Sequence, residues 1–295
     1  MDIIEISNNK TKLMGLSAIL IMAFHLNLIS IGNIGVDIFL LLSAMGCYFS
    51  LSKSYDIINF YKKRALRILP SFILISGSLY IAHILFSQHD ISIITYLGLG
   101  VLFGDLTFWF IPLIITCYIL APFIFKLVHY KYALVTILLL STIFFILSVT
   151  LNFIFSRLPI FFLSMYFSKF IFSRKSIKKQ HLYPIYILDV LLIALAIYLK
   201  SISIHWSILF TIYFFITIPT TLLISQILSK FNSKVLTFIG TISLETYLIQ
   251  EFVSFSITNC FTNNFYLFCL ISSIITIILA WGTTFSIKYF IKKLA

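Results

Sequence analysis

An all-α polytopic membrane protein, a bundle of about ten transmembrane helices with both termini cytoplasmic, is the fold class this sequence predicts. Three observations predict it. The 295 residues are 61% hydrophobic and only 10% charged, with 32 Phe, and the mean hydropathy is +1.09. A soluble domain of this length carries far more polar surface over its core. Apolar runs of roughly 17–22 residues, the span a helix needs to cross a bilayer, recur along the whole chain. The basic residues, finally, fall almost entirely between alternate runs.

Taken in order, the first runs are 13–30 and 34–52, joined by the short polar link Ser30-Ile31-Gly32-Asn33. They read as a helical hairpin. The run 69–87 follows a basic stretch that includes Lys62, Lys63, Arg64 and Arg67. The run 108–127 opens on Trp109-Phe110-Ile111-Pro112, and 132–151 is uninterrupted by charge. The run 157–172 opens on Arg157-Leu158-Pro159. The runs 183–199, 205–227, 235–256 and 265–288 complete the set, with Asp189 in the first and Glu245 in the third. Backbone groups in lipid are satisfied within the segment, and the period-2 pattern of a membrane barrel is missing, so all ten are helices.

Ten spans leave both termini on one side. That side then holds 19 of the 21 lysines and arginines, and the other holds only Arg157 and Lys200. The positive-inside rule makes the first side cytoplasmic. The net charge of +12 is therefore a topology signal, with membrane lipids as its partners and no nucleic acid expected. No small-residue cleavage pattern follows the first run, which is expected to stay as an anchor. Cys47, Cys117, Cys260 and Cys269 show neither metal nor redox spacing, so no metal is expected. Without a soluble insert or a fixed-period repeat, residues 1–295 read as a single integral membrane domain.

Chemistry is sought where ionisable groups enter the apolar runs. Asp2, Glu5, Asp56, Asp90 and Asp105 fall in loops or tails, whereas Asp37, Asp189, Glu245 and Glu251 fall in or beside spans. His25 and Asp37 flank the hairpin tip at similar depth, each about 8 Å below the outer turn at the helical rise. A buried His and a buried carboxylate are costly unless paired, and such residues mark substrate or proton sites. A pair of this kind orients the imidazole for general-base work. A purely structural lock between two helices is the other reading.

Arg64 and Arg67, at i and i+3, project from one side of a helix. Guanidinium forks suit phosphate oxygens, so lipid headgroups and a phosphorylated donor both fit the pair on spacing alone. Trp109 fits an outer aromatic belt, with Tyr118 and Pro122 further along the same run. Arg157 is one of two outer basic residues, and Glu245 lies near mid-membrane, where an acid needs a partner, a proton or a cavity. His89, Asp90, Asp105, Trp109 and Trp206 are candidates for lining a site on the outer face.

These motifs together resemble the acyltransferase-3 family of integral membrane O-acyltransferases, nearly end to end. The matching segments are Gly15-Leu16 through His25, Gly35-Val36-Asp37-Ile38-Phe39 to Ser43, and Phe60-Tyr61-x-x-Arg64-x-x-Arg67-Ile68-x-Pro70. Trp109-Phe110-Ile111-Pro112 with Tyr118 and Pro122, Arg157-x-Pro159, and Phe238-Ile239-Gly240-x-Ile242-Ser243-Leu244-Glu245-x-Tyr247-Leu248 complete them. The resemblance implies transfer of an acyl group, by default acetyl from acetyl-CoA, to a hydroxyl of a bacterial surface polysaccharide or its lipid-linked precursor. It implies a multi-pass protein of the bacterial cytoplasmic (inner) membrane, with His25 as catalytic base, Asp37 supporting it, and Arg64 and Arg67 on the phosphates of coenzyme A. A non-catalytic polysaccharide export protein on the same scaffold is the alternative. Two positions depart from the family pattern. Met14 stands where an Arg or Lys usually precedes the His by eleven residues, and Gln250 stands where many members carry a His.

Overall fold

The structure, a computed structural model, describes residues 3–86, 92–103, 105, 107–150, 153–174, 179–258 and 265–294. Asp2, His89, Asp90 and Cys260 lie outside the described residues, as does the side chain of Glu251. Thirteen α-helices are described: α1 Glu5–Asn8, α2 Lys10–His25, α3 Ile34–Lys53, α4 Ile57–Phe86, α5 Ile93–Tyr96, α6 Phe110–Val128, α7 Ala133–Thr150, α8 Leu158–Phe172, α9 Lys179–Ser201, α10 Trp206–Ser229, α11 Lys234–Thr241, α12 Ser243–Thr258 and α13 Phe265–Leu294. No strand occurs among the described residues.

Helices occupy each of the ten predicted stretches, but seven are long and apolar enough to cross a membrane by length and composition. These are α3, α4, α6, α9, α10, α13 and the continuous segment 155–172 that contains α8. Three stretches fall short for visible reasons. The run 13–30 stops being helical at His25, because Asn27 adopts φ 56, a left-handed turn that Asn tolerates. α7 is outside the seven by about one residue, its described apolar part being Ala133–Val149. The run 235–256 is broken at Ile242 (φ −115, ψ 14), so α11 and α12 are separate helices.

The first two helices form the expected hairpin. A Cβ at Gly35 would stand 2.6 Å from the Ser17 carbonyl oxygen, so only glycine lets α3 lie this close to α2. On another side α2 packs backbone to backbone on α11, because a Cβ at Gly15 would collide with the Leu236 carbonyl and one at Gly240 with the Thr11 carbonyl. The main apolar core joins α2, α3, α6, α8 and α12. Toward the outside, α9 and α13 expose rows of Ile, Leu and aromatic side chains, the surface that lipid covers. Polar groups within the bundle are tied across helices. Asp189 of α9 accepts from the Thr220 hydroxyl of α10 at 3.0 Å. Lys12 donates to the Leu228 and Phe231 carbonyls at the C-terminus of α10, where a cation is favoured.

Candidate active site

One face of α2 organises the site. Lys10, Met14, Ile21 and His25 follow each other at helical spacing, so they project within about 60° of one another over roughly 22 Å of axis. Lys10 opens this stripe and His25 closes it.

At the Lys10 end, Arg64 of α4 donates from Nη2 to the Gly46 carbonyl of α3 at 2.7 Å. Its guanidinium stands 5.3 Å from the Phe60 ring centroid and 5.4 Å from that of Tyr118, so two aromatic faces hold it. Arg67, one helical step on, points a guanidinium nitrogen at the Met14 sulfur at 3.9 Å. Lys10 feels the charge of both arginines. Its ammonium would sit 3.0 Å from a Cβ at Gly46, so that glycine leaves it room. None of the three cations has an acidic partner among the described residues, and Arg64 Nε is buried without any hydrogen bond. Like charges gathered in this way repel unless an anion joins them.

Beyond the cations runs a slot of about 40 Å³, lined by Met14, Ile21, Phe39, Ser43, Arg67, Phe110, Ile114, Tyr118, Ser243 and Tyr247 among others. Each helix contributes positions one or two turns apart: 39 and 43 on α3, 110, 114 and 118 on α6, 243 and 247 on α12. Room of this size admits a thin chain and excludes a ring system.

At the far end Ile21 and Tyr247 also wall a second, wider cavity of about 410 Å³, completed by Phe24, His25, Asn33, Val36, Trp109, Arg157, Trp206 and Phe210. This is the size of an ordinary small-molecule site. His25 packs edge-on against Phe24, ring centroids 5.7 Å apart.

Here the structure corrects the expected pairing. Asp37 does not support His25: no hydrogen bond joins them, and the Asp37 carboxylate is ion-paired with Arg157, both side chains 2% exposed. The reason lies in α3, where Val36 faces the cavity and Asp37, one residue on, turns about 100° toward the start of α8. Arg157 is the residue just before that helix. A fully buried carboxylate is better matched by a permanent guanidinium than by an imidazole that can lose its charge. Arg157 is itself packed on Phe210 at 3.9 Å and Tyr213 at 5.6 Å. Thus Asp37 reaches the cavity only through Arg157.

The remaining predicted residues divide between the two ends. Trp109 joins His25 and Arg157 in the wide cavity, while Tyr118 sits with Arg64 and Arg67 at the other end. Glu245 belongs to neither: its Oε1 accepts from the Ser71 hydroxyl of α4 at 2.6 Å, which satisfies a buried acid without a cation. Asn33 and Phe210 were not candidates in the sequence, whereas the angle of Lys10, about 60° from His25 on the helix, was legible and Tyr247 stands in the segment 238–248 that resembles the family. Among the described residues no three His, Cys, Asp or Glu side chains form a metal-binding group.

A cationic mouth, a thin slot and a wider chamber holding a histidine thus follow one another along one face of α2. The chain belongs to the acyltransferase-3 family, whose acyltransferase-domain model matches residues 13–285. No curated relative and no solved structure matches it. It is therefore a multi-pass membrane protein of an acyltransferase family.

Proposed function

We propose that the protein is a bacterial inner-membrane O-acyltransferase that moves an acyl group, by default acetyl, from cytoplasmic acyl-CoA to a hydroxyl of a surface glycan or its lipid-linked precursor. The observation that carries this reading is the α2 stripe, which runs from three uncompensated cations through a thin slot to His25. In this reading the Lys10 end faces the cytoplasm, the side on which the positive-inside rule places most basic residues. Lys10, Arg64 and Arg67 take the phosphates of coenzyme A, and Arg64 Nε and the forks of both arginines are suited to that. The pantetheine arm, thin and unbranched over most of its length, occupies the slot and brings the thioester toward Ile21 and Tyr247.

The acceptor hydroxyl enters the wide cavity and gives its proton to His25. Its oxygen attacks the thioester carbonyl carbon, the C–S bond breaks, and the thiolate of coenzyme A leaves and takes up a proton. General-base assistance of this kind contributes about 10²–10⁴-fold. Arg157, held by Asp37 on the same cavity wall, is placed to orient the acceptor. Glu245 stays outside the reaction and holds α12 to α4.

The test is transfer of label from acetyl-CoA to endogenous surface glycan in cells carrying wild type or His25→Ala. Loss of about 100-fold or more is expected. Equal label in both would instead favour the non-catalytic export protein. Separately, Arg64→Ala with Arg67→Ala is expected to raise KM for acetyl-CoA by at least tenfold, and an unchanged KM would remove the donor assignment.

A further inference from the structure

The wide cavity carries more than a proton acceptor. Trp109 just before α6, Trp206 and Phe210 from α10 and Tyr247 from α12 line it. The Phe210 ring is already covered by the Arg157 guanidinium, and Trp206 leans on Phe210 with centroids 5.6 Å apart. The indoles of Trp206 and Trp109, at the starts of two different helices, are thus fixed walls of one chamber.

Two polar atoms of the residues lining it, Asn33 Oδ1 and Arg157 Nε, are buried without a hydrogen-bond partner. Such atoms each cost about 1–3 kcal/mol unless something completes them. A hydroxyl can complete the first by donating to Oδ1 after a small turn of the Asn33 side chain, whereas Arg157 stays held by Asp37 and Phe210. The charge balance narrows the class further. Arg157 is neutralised by Asp37, among the described residues no other arginine and no lysine lines the cavity, and His25, its other basic group, has to be neutral to accept a proton. An anionic ligand would enter without a free cation and lose its hydration, which is costly.

We infer that the wide cavity is a binding site for an uncharged sugar ring, a pyranose laid with its C–H face on Trp206, with Trp109 on the other side and a hydroxyl toward Asn33. Aromatic walls with a few convergent polar groups suit such a ring. The inference rests on the acceptor assignment of the same cavity and adds the selection rule that the sugar bound there is neutral rather than a uronic or sialic acid. Trp206, Phe210 and Asn33 are the residues that set it.

The full-length protein in lipid nanodiscs tests this by its own fluorescence, since it has only three tryptophans and two of them face the cavity. The probes are chitotriose and methyl β-glucopyranoside as neutral sugars and methyl β-glucuronide as the charged counterpart. The expected result is a saturable change with at least one neutral probe and binding of the glucuronide at least tenfold weaker. Trp206→Ala should weaken the neutral probe by tenfold or more, while Trp206→Phe, which keeps a ring and guards against a folding defect, should recover most of it. Equal or tighter binding of the glucuronide, no saturable neutral binding, or an unchanged affinity in Trp206→Ala would each overturn the inference. Label transfer that persists without neutral-sugar binding removes this inference alone. Neutral-sugar binding without any transfer removes the acyltransferase reading and leaves the sugar site.

Discussion

At one end of α2 three cations, Lys10, Arg64 and Arg67, stand together without an acid; at the other, a single cation, Arg157, is sealed against Asp37. Both ends carry cationic side chains at least partly removed from water, yet they solve the electrostatic problem in opposite ways. An uncompensated cluster keeps its affinity for an anion that arrives from outside. A compensated pair has already used that affinity internally and serves to hold geometry. In the proposed reaction, charge at the Lys10 end serves binding and charge at the His25 end serves positioning.

The strongest way to break this contrast is at the sealed pair. Asp37→Ala leaves Arg157 buried and unpaired and should cost about 3–5 kcal/mol of stability, read as a fall in Tm in detergent. The double change Asp37→Leu with Arg157→Met should restore most of the stability and none of the transfer. If Asp37→Ala keeps its Tm, the pair is not sealed as described. A smaller effect of opposite character is expected at the open cluster. Lys10→Met should raise the acyl-CoA KM about tenfold, the loss of roughly 1.4 kcal/mol from one charge-assisted contact. Its Tm should hold or rise, because like-charge repulsion is relieved. A fall in Tm as large as that of Asp37→Ala would erase the difference between the two ends.

Between these in kind, Gly15→Ala should disturb both ends together by forcing α2 from α11, seen as lower Tm and higher KM for donor and acceptor alike. The smallest effect lies outside the α2 stripe. Asp105 accepts from the Thr95 hydroxyl at 2.5 Å and the Thr107 backbone N–H at 2.9 Å. Burial alone would push its carboxyl up, but these hydrogen bonds outweigh it and hold the group below its ordinary value. Its contribution to stability is thus complete above the unfolded carboxylate value of about 3.9 and is lost as pH falls below that. Thr95→Val should flatten this acid-range slope by lowering Tm slightly near pH 7 while leaving it unchanged at the acid end, and an unaltered slope would count against the Thr95 contact.

How much of this was legible in the sequence depended on range. The hairpin of α2 and α3, and the separation of a basic end from His25, follow from local composition and helical rise. Arg64 and Arg67 fall together because i, i+3 geometry is local. The partner of Asp37 was not legible, since Arg157 lies 120 residues away and His25 was the nearer candidate in sequence. The Ser71–Glu245 contact spans 174 residues and hides for the same reason. Lys10 shows a subtler limit. Its angle on the helix could be read, but the arginines it meets come from α4, and their approach past Gly46 is a matter of packing. The break at Ile242 was equally hidden, because the apolar residues continue on both sides of it.

The glycine contact between α2 and α11 has a further consequence. With Gly15 against Leu236 and Gly240 against Thr11, the two backbones touch, and neither helix can slide or roll without collision. The helix that carries both Lys10 and His25 is thereby a ruler of fixed length, about 22 Å between its two marks. A ruler measures its substrate. In the proposed reaction, a thioester carried on a shortened thiol would leave its carbonyl short of His25 even with every phosphate contact made, so this wall of the bundle would gauge the donor by length as well as by charge.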